Sequence, residues 1–365
     1  MPNRLESLDW LRGLMALSIM LYHFVGHHDS ATHLGRLGVY GVSIFFILSG
    51  LSMAIAYDRY ITDLRTSVTF FIRRLFRIWP LLWLAVALVA IPTYLIEKGT
   101  HGQDPYRLST IILNLTTLFG FVAPTEYINM GAWSIGNEIV YYAFTPIFIG
   151  AYHWRKSIGN AVTLATVGIG LLFAFSLLNP AENLKTQWAT YINPFNNLFL
   201  YCTGLAIYYN FRDLTVPVSR HAPIFVFPVI IFFLYPTSGD QINLVTGFNR
   251  VAMSIISAAI VLAFYKCAPV LPKFIGDKFE KLGIATYGVY LLHPIVLDFT
   301  RAAFRFFDVQ TNYLPTLLAV GLTIVFALFT YKFYEAPLTN LGKRLSNRET
   351  NKVTKSDLLV TTAND

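Results

Sequence analysis

The chain has 365 residues, of which 55% are hydrophobic and only 13% are charged, and it carries a net charge of +8. Soluble globular proteins carry about 25% charged residues, so this composition excludes an ordinary soluble enzyme as well as a disordered chain. Two cysteines, Cys202 and Cys267, form neither a disulfide framework nor a cysteine zinc site. The composition therefore predicts a polytopic membrane protein.

Ten apolar stretches approach the length of about 20 residues that a helix needs to cross a bilayer. We predict an all-α fold with about ten transmembrane helices at Leu8–Val25, Gly38–Tyr57, Phe70–Ile96, Trp133–Tyr152, Ile158–Leu178, Pro194–Phe211, Ile224–Tyr235, Phe248–Lys266, Leu282–Phe306 and Tyr313–Tyr334. An eleventh apolar piece, Leu108–Val122, is short and is interrupted by Asn114 and two threonines.

Positive charge indicates whether Leu108–Val122 crosses the membrane. If it does not cross and the N-terminus is cytoplasmic, 21 of the 28 Lys and Arg residues fall on the cytoplasmic side. The seven that fall outside are Arg36, Lys98, Arg107, Lys185, Arg250, Arg301 and Arg305. If the segment did cross, 11 of the 28 would lie inside and 17 outside, against the positive-inside rule. We therefore predict that it is re-entrant or interfacial at the outer face.

This orientation also explains the net positive charge, so we expect no nucleic-acid partner. Both termini are predicted to be cytoplasmic. Residues 1–342 are expected to form one membrane domain, and residues 343–365 a polar, disordered cytoplasmic tail.

The first predicted helix carries three candidate residues. Charged groups inside a membrane helix cost about 2.5–3.5 kcal/mol each on insertion scales, so they are functional candidates by default. Asp9 and Arg12 are three residues apart and can pair on one face. His23 follows Arg12 by about three turns, so both point the same way about 16 Å apart. A lined polar cavity explains this pattern, although an ion pair that helps insertion and a hydrogen-bonded packing histidine are alternatives.

The third predicted helix carries an arginine pair near its cytoplasmic end. Arg74 and Arg77 are three residues apart and share a face, and guanidinium forks suit phosphate groups. We interpret this pair as phosphate ligands, whereas Arg73 is expected to snorkel to lipid headgroups. Snorkelling is also the alternative interpretation of the pair.

Two later helices bring further titratable groups to a similar depth in the membrane. Counting along straight helices places His23 and Glu138 both roughly 22 Å from the inner face, and His293 at roughly 16 Å. A carboxylate beside an imidazole orients the ring and raises its basicity, as a general base requires. Tyr290 shares a face with His293 and belongs either to the site or to aromatic packing.

Together these segments resemble the acyltransferase 3 family of bacterial membrane-bound O-acyltransferases. The matching residues are Arg4, Leu8–Gly13, Ala16 and His23; Gly41–Gly50; Arg74, Arg77, Ile78 and Pro80; Trp133, Ser134 and Glu138; Tyr287, Tyr290, Leu291 and His293; and Tyr334, Glu335 and Pro337. Ser43 stands where many members have aspartate, so we assign no acid role there. Six motifs in the same order over residues 4–337 make the resemblance specific.

The resemblance implies a multi-pass enzyme of the bacterial cytoplasmic membrane. Its expected reaction moves an acyl group, acetyl in particular, from cytoplasmic acyl-CoA to a hydroxyl of an envelope or exported glycan, either free or lipid-linked. The implied catalytic residues are His23, Glu138 and Arg12, the implied acyl-CoA ligands are Arg74 and Arg77, and the further candidates are Asp9, Tyr290, His293 and Glu335. Neither a tightly bound cofactor nor a metal is expected.

Two mechanisms are compatible with these residues. His23 takes the proton of the acceptor hydroxyl, which attacks the thioester directly, or His23 is first acylated and then deacylated by the sugar. Glu138 either orients the imidazole or binds the acceptor. A proton-coupled secondary transporter would also use buried His and Glu, but the sequence has no half-to-half symmetry. A scaffold protein would have no reason to hold such groups in its interior.

Overall fold

The computed structural model describes residues 5–26, 29, 32–102, 104–309 and 313–346. Within these ranges the regular structure is helical throughout, as predicted. The α-helices are α1 (Glu6–Val25), α2 (His33–Tyr57), α3 (Leu64–His101), α4 (Leu108–Thr116), α5 (Phe119–Val122), α6 (Ala132–Trp154), α7 (Lys156–Leu172), α8 (Trp188–Tyr191), α9 (Pro194–Phe211), α10 (His221–Leu234), α11 (Ile242–Val245), α12 (Gly247–Lys266), α13 (Lys273–Ile284), α14 (Thr286–Phe306) and α15 (Leu314–Thr330). The π-helical turns Phe173–Leu177 and Tyr331–Glu335 extend α7 and α15, and the 3₁₀ turn Val218–Arg220 precedes α10.

The ten predicted spans all coincide with helices, but these helices differ in how well they suit a membrane. Five are long and apolar enough to cross one: His33–Tyr57, Leu64–His101, Lys156–Leu177, Gly247–Lys266 and Leu314–Ser346. Counting α13 and α14 as one bent span gives a sixth. Of the others, α1 carries charged residues in its first turns and α10 has only 14 residues. The chain is therefore a multi-pass membrane protein by its helices, and ten crossings stay a prediction.

Two predicted boundaries are wrong. The span predicted over Leu282–Phe306 is broken, because α13 ends at Ile284 and α14 begins at Thr286, and the two helices meet at 67°. The charged residues of α13 suit an interface better than an apolar layer, which explains the bend. The tail predicted over residues 343–365 begins in a helix that continues to Ser346. Residues 347–365, like Arg4, lie outside the described residues.

A buried carboxylate fastens the C-terminal ends of three helices. Asp58, directly after α2, accepts hydrogen bonds from His153 of α6 at 2.8 Å and from Tyr209 of α9 at 2.7 Å. Arg212, directly after α9, forms an ion pair with it at 3.1 Å. Although burial acts in the opposite direction, hydrogen bonds from Tyr209, His153 and Tyr208 hold the pKa of Asp58 below its usual range. The carboxylate thus stays charged and keeps the three helix ends together.

These contacts constrain how the chain runs between α2 and α6. Because the C-terminal ends of both helices lie at the same face of the bundle, an even number of crossings separates those ends. If α3 and α6 each cross once, as predicted, they supply two crossings, and the segment between them enters and leaves at one face. This geometry supports the charge-based prediction that Leu108–Val122 does not cross.

The segment Leu108–Val122 folds back on itself. Between α4 and α5, Thr117 adopts a left-handed backbone conformation with a φ of 62°. The Asn114 side chain donates to the carbonyl of Glu126 at 2.6 Å and accepts from the N–H of Ile128 at 2.9 Å. The Trp83 indole of α3 donates to an α4 carbonyl at 2.7 Å. The incoming and outgoing chains are thereby tied together and anchored to α3.

We expect cysteine labelling to confirm this topology. The native Cys202 and Cys267 are buried, so single cysteines at exposed positions report the accessible side. In sealed cells, Thr100→Cys should react with a membrane-impermeant maleimide, because it is predicted to lie outside. Lys278→Cys should react only after permeabilisation. Reversed labelling at either site would contradict the predicted orientation.

Two glycines allow α2 and α9 to pack at backbone contact. A Cβ atom at Gly50 would lie 1.9 Å from the carbonyl oxygen of Tyr201, and one at Gly204 would lie 2.0 Å from the carbonyl oxygen of Ile47. Real Cβ atoms cannot approach a backbone oxygen so closely, so both positions require glycine. Close packing through small residues is how membrane helices associate without a hydrophobic driving force between them.

Substitution at this crossing should destabilise the protein strongly. Gly204→Ala is expected to cost about 3 kcal/mol, the upper end of overpacking costs, because the α9 backbone must move away from α2. Thermal unfolding of the detergent-purified protein measures the effect. Gly168→Ala in α7 is the matched control, because a Cβ there meets nothing within 4 Å. Equal stability of the two variants would contradict the close crossing.

Candidate active site

A cavity of about 370 Å³ lies between α1, α2, α3, α6, α14 and the second π-helical turn, and the end of α13 closes one side of it. This volume is within the range of small-molecule sites. Along α2 the lining extends from Ala56 to Val42, which corresponds to about 21 Å of helix. Six candidate residues from the sequence line it: Asp9, Arg12, Arg74, Arg77, Glu138 and Tyr290.

The first candidate pair forms as predicted. Arg12 donates to the Asp9 carboxylate at 2.6 Å, and this carboxylate is buried. Arg12 also donates to the hydroxyl of Ser52 on α2. The pair lines the cavity at the N-terminal half of α1, where Gly283 of α13 packs directly against the Asp9 backbone. An ion pair inside the cavity fits a binding role better than a simple role in insertion.

The Glu138 carboxylate is held by two hydroxyl groups. Ser49 of α2 donates to it at 2.6 Å, and Tyr142, one turn further along α6, also donates to it. We expected Glu138 either to orient His23 or to bind the acceptor. Its hydrogen bonds to Ser49 and Tyr142 favour the second of these two roles.

The arginine pair of α3 lines the same cavity at its other end. Arg74 donates to the Tyr57 hydroxyl at 2.8 Å and lies over the rings of Tyr57 and Tyr142. Its Nε is buried and has no hydrogen-bond partner in the described part of the chain. Arg77 is exposed at the cavity. Both arginines thus line the cavity, and guanidinium groups are suited to binding phosphate.

Arg73 does not line this cavity, and its role differs from the predicted one. Its guanidinium lies 4.6 Å from the centre of the Tyr60 ring, and its Nε donates to the Ser346 hydroxyl at 2.9 Å. Arg73 therefore connects the C-terminal helix to α3. We had expected its side chain to reach lipid headgroups instead.

His23 lies beyond the cavity and pairs with a second histidine. The rings of His23 and His293 are stacked with centroids 5.2 Å apart and an interplanar angle of 25°. His293 is 1% exposed, and its Nδ1 donates to the carbonyl of Val289 at 3.1 Å. That bond leaves Nε2 as an acceptor, and it has no hydrogen-bond partner among the described residues. The two histidines expected at similar depth are thus in direct contact.

Tyr290 separates the cavity from this histidine pair. Its hydroxyl forms a 2.8 Å hydrogen bond with Ser134 of α6, and its ring centroid lies 6.1 Å from that of His293. Tyr290 lines the cavity, whereas His293, one turn further along α14, does not. Tyr290 is therefore part of the site, and the interpretation as packing alone is too narrow.

Glu335 lies outside the cavity lining. It is buried at the end of the second π-helical turn, where Thr330 donates to it at 3.5 Å. Its charge interacts with that of Arg77, and Tyr331 of the same turn lines the cavity. Glu335 can therefore act on the site indirectly, through Arg77 and through Tyr287, which also lines the cavity.

Sequence reasoning missed the hydroxyl groups that hold the charged residues. Ser49, Ser52 and Tyr142 were not candidates, although Tyr142 follows Glu138 by four residues on the same helix face. Ser49 and Ser52 are likewise one turn apart on α2, and Ser49 lies inside the motif Gly41–Gly50. Hydroxyl groups one turn from a buried charge were the signal available in the sequence.

Known proteins match this chain over nearly its whole length. The sequence model of the acyltransferase domain family matches residues 5–332. A peptidoglycan O-acetyltransferase of Listeria monocytogenes is 24% identical over 361 residues, which cover 92% of this chain and 56% of that protein. A Bacillus subtilis protein, whose name provisionally assigns peptidoglycan O-acetylation, is 25% identical over 378 residues, covering 94% of this chain and 56% of that protein.

The alignments cover a larger share of this chain than of its relatives. Nearly the whole of this chain is covered, but the chain spans little more than half the length of the curated relatives it matches. No solved structure matches the chain.

Proposed function

This chain belongs to the acyltransferase domain family, and from this premise we propose that it transfers an acyl group, acetyl in particular, from acyl-CoA to a hydroxyl of a cell-envelope glycan. One observation carries the proposal: a single cavity extends from two arginines to the neighbourhood of a stacked histidine pair. Such a passage suits acyl-CoA, because the phosphates and the thioester of this donor are separated by the long pantetheine arm.

The donor would enter from the cytoplasmic side. Arg74 and Arg77 would bind its phosphates through charge-assisted hydrogen bonds, which are stronger than neutral ones. The pantetheine arm would follow the polar lining supplied by Arg12, Ser49 and Ser52. Arg12 is held in place by Asp9, so its remaining donors are oriented before the substrate arrives.

The chemistry would take place at the histidine end. His23 would remove the proton of the acceptor hydroxyl as its oxygen attacks the thioester carbonyl. The C–S bond then breaks, an ester C–O bond forms, and the proton passes from His23 to the CoA thiolate. In the alternative mechanism the His23 imidazole attacks the thioester carbonyl, the C–S bond breaks and the CoA thiolate leaves. The sugar oxygen then attacks the acyl-imidazole, the C–N bond breaks as the ester C–O bond forms, and the hydroxyl proton passes to the CoA thiolate. Both mechanisms need His23 close to the thioester.

Glu138 would act on a substrate and not on His23. Its carboxylate lines the cavity and already accepts from Ser49 and Tyr142. A carboxylate has two oxygens and about four acceptor sites, so it can also accept from an amide or a hydroxyl of a bound substrate. We therefore propose Glu138 as a substrate-orienting residue.

The acceptor would reach His23 from the extracytoplasmic side of a bacterial cytoplasmic membrane. The names of the relatives assign peptidoglycan O-acetylation to them. We propose the same class of acceptor here, an envelope glycan or its lipid-linked precursor. His23 lies near the C-terminal end of α1, whereas Asp9 lies near the N-terminal end of that helix, on the side of the arginine pair of α3.

Purified protein in lipid nanodiscs, incubated with acetyl-CoA labelled in its acetyl group, tests the proposal. Free CoA should appear faster when a β-1,4-linked N-acetylglucosamine oligosaccharide is added, and the label should move to the sugar as an alkali-labile ester. Absence of both acetyl-CoA binding and thioester cleavage would contradict the proposal and would favour a proton-coupled carrier.

A further inference from the structure

An aromatic pair lines the far part of the cavity, one helical turn short of the histidines. On α14, Tyr290 lines the cavity and His293 follows it by three residues, about 4.5 Å along the axis. On α2, Phe45 lines the cavity beside it. The rings of Phe45 and Tyr290 meet edge to face with centroids 6.0 Å apart. A donor that extends toward His23 therefore meets these two rings with its leading end.

Tyr290 is fixed in this position, so it forms a rigid wall. Its hydroxyl is bonded to Ser134 at 2.8 Å, and a Cβ atom at Gly131 would lie only 3.2 Å from its ring. Ser134 in turn donates to the carbonyl of Gly131 at 3.2 Å. Phe45 has no polar anchor and is only partly buried. The size of the Phe45 side chain thus sets the space left between the two rings.

The lining changes character along the cavity in a way that matches the parts of the donor. Its arginine end and middle carry Arg12, Ser52 and the arginine pair, which suit phosphates and the amides of pantetheine. Its far end carries Val42, Phe45 and Ile135, which suit a short alkyl group, beside the hydroxyl groups of Ser134 and Tyr290. The apolar part is brief, because on α2 only Val42 continues the lining beyond Phe45.

We propose that Phe45, packed against the fixed ring of Tyr290, selects short acyl groups and so limits the donor to acetyl-CoA. This inference rests on the proposed function, because it assumes an acyl-CoA donor whose thioester approaches His23. A longer acyl chain would have to occupy the space that the Phe45 ring fills. In close-packed interiors even one methylene of excess volume is resisted.

The test measures kcat/KM for acetyl-, butyryl- and hexanoyl-CoA with the full-length protein in nanodiscs. One additional methylene in an apolar pocket changes discrimination by about 10–200-fold. The unaltered protein should prefer acetyl-CoA over butyryl-CoA by at least about tenfold. Phe45→Ala should reduce this preference by at least about tenfold, because it removes the ring that obstructs the chain.

Met53→Ala is the matched control. Met53 is buried, lines the same cavity and lies on the same helix two turns nearer the arginine end. Its truncation enlarges the cavity where pantetheine would lie, so the preference for acetyl-CoA should change by less than about threefold. An equal change in both variants would overturn the proposal, because total cavity volume would then decide the preference.

The outcomes separate this inference from the proposed function. Failure of the unaltered protein to cleave any acyl-CoA would remove both. Cleavage of acetyl-CoA with an unchanged chain-length preference in Phe45→Ala would remove the inference alone. If Phe45→Ala does not yield folded protein, Phe45→Leu replaces it, and an unchanged preference there overturns the inference equally.

Discussion

His23→Ala should reduce acyl transfer about 10²–10⁴-fold, the usual cost of removing a positioned general base. Donor binding should stay within a few fold of normal, because His23 lies beyond the cavity lined by the arginine pair. Turnover and acetyl-CoA affinity, measured on the same variant, give the decisive comparison. Near-normal turnover would remove His23 from the chemistry, and His293 would become the next candidate base.

Two further variants sharpen this prediction. His23→Gln keeps a hydrogen-bonding group but supplies no base, so it should fail as well. Glu138→Gln should lower the rate less, because Glu138 is bonded to Ser49 and Tyr142. The sequence led us to expect that Glu138→Gln would move the basic limb of activity to lower pH. The contacts predict instead that the pH profile keeps its position, and a clear shift would restore the original interpretation.

Arg74→Ala and Arg77→Ala should each weaken acyl-CoA binding roughly ten- to a hundredfold. Charge-assisted hydrogen bonds to phosphate contribute about 1.5–3 kcal/mol, which corresponds to that range. Calorimetric titration with CoA alone measures the effect without any acceptor. Arg74→Ala should also lower stability, because its guanidinium bonds to Tyr57 and lies over two tyrosine rings.

Arg73→Ala is the control on the same helix, since it removes the same charge outside the cavity lining. It should leave CoA affinity nearly unchanged and lower the melting temperature, because it releases the contacts with Tyr60 and Ser346. Loss of CoA binding in this variant, with normal binding in the other two, would reverse the assignment of the helix face.

Apolar stretches were enough to predict the helices, and the motifs were enough to predict the family. Each predicted span coincides with helical structure, although the one over Leu282–Phe306 is divided between α13 and α14, because apolar stretches have few other stable structures in a membrane. Helix-face arguments were also sufficient within one helix: Asp9 and Arg12 pair at 2.6 Å as their three-residue spacing predicts. The family match over residues 5–332 confirms the resemblance derived from the motifs.

Contacts between helices could not be predicted from the sequence alone. Depth estimates assumed straight helices perpendicular to the membrane and placed Glu138 level with His23, but they could not show that the Glu138 carboxylate bonds to Ser49 of α2. The estimate for His293 counted residues from Leu282, although α14 begins only at Thr286 after a 67° bend. Tilt, rotation and bends depend on packing between helices, and a hydropathy pattern carries none of that information.

The second π-helical turn, Tyr331–Glu335, holds one residue more than regular α-helical winding would use. Deleting one residue there would restore an ordinary helix and leave hydropathy unchanged. Because the wide turn absorbs the extra residue, the positions beyond such a deletion would keep nearly the same face of the helix. Gly342 would stay near Phe76, and Ser346 would stay near Arg73. A one-residue deletion within the regular turns of α15 would instead rotate both positions by about 100° about the helix axis and separate them from α3. The second π-helical turn therefore marks a place where this helix tolerates the loss of one residue, whereas the α-helical turns before it do not.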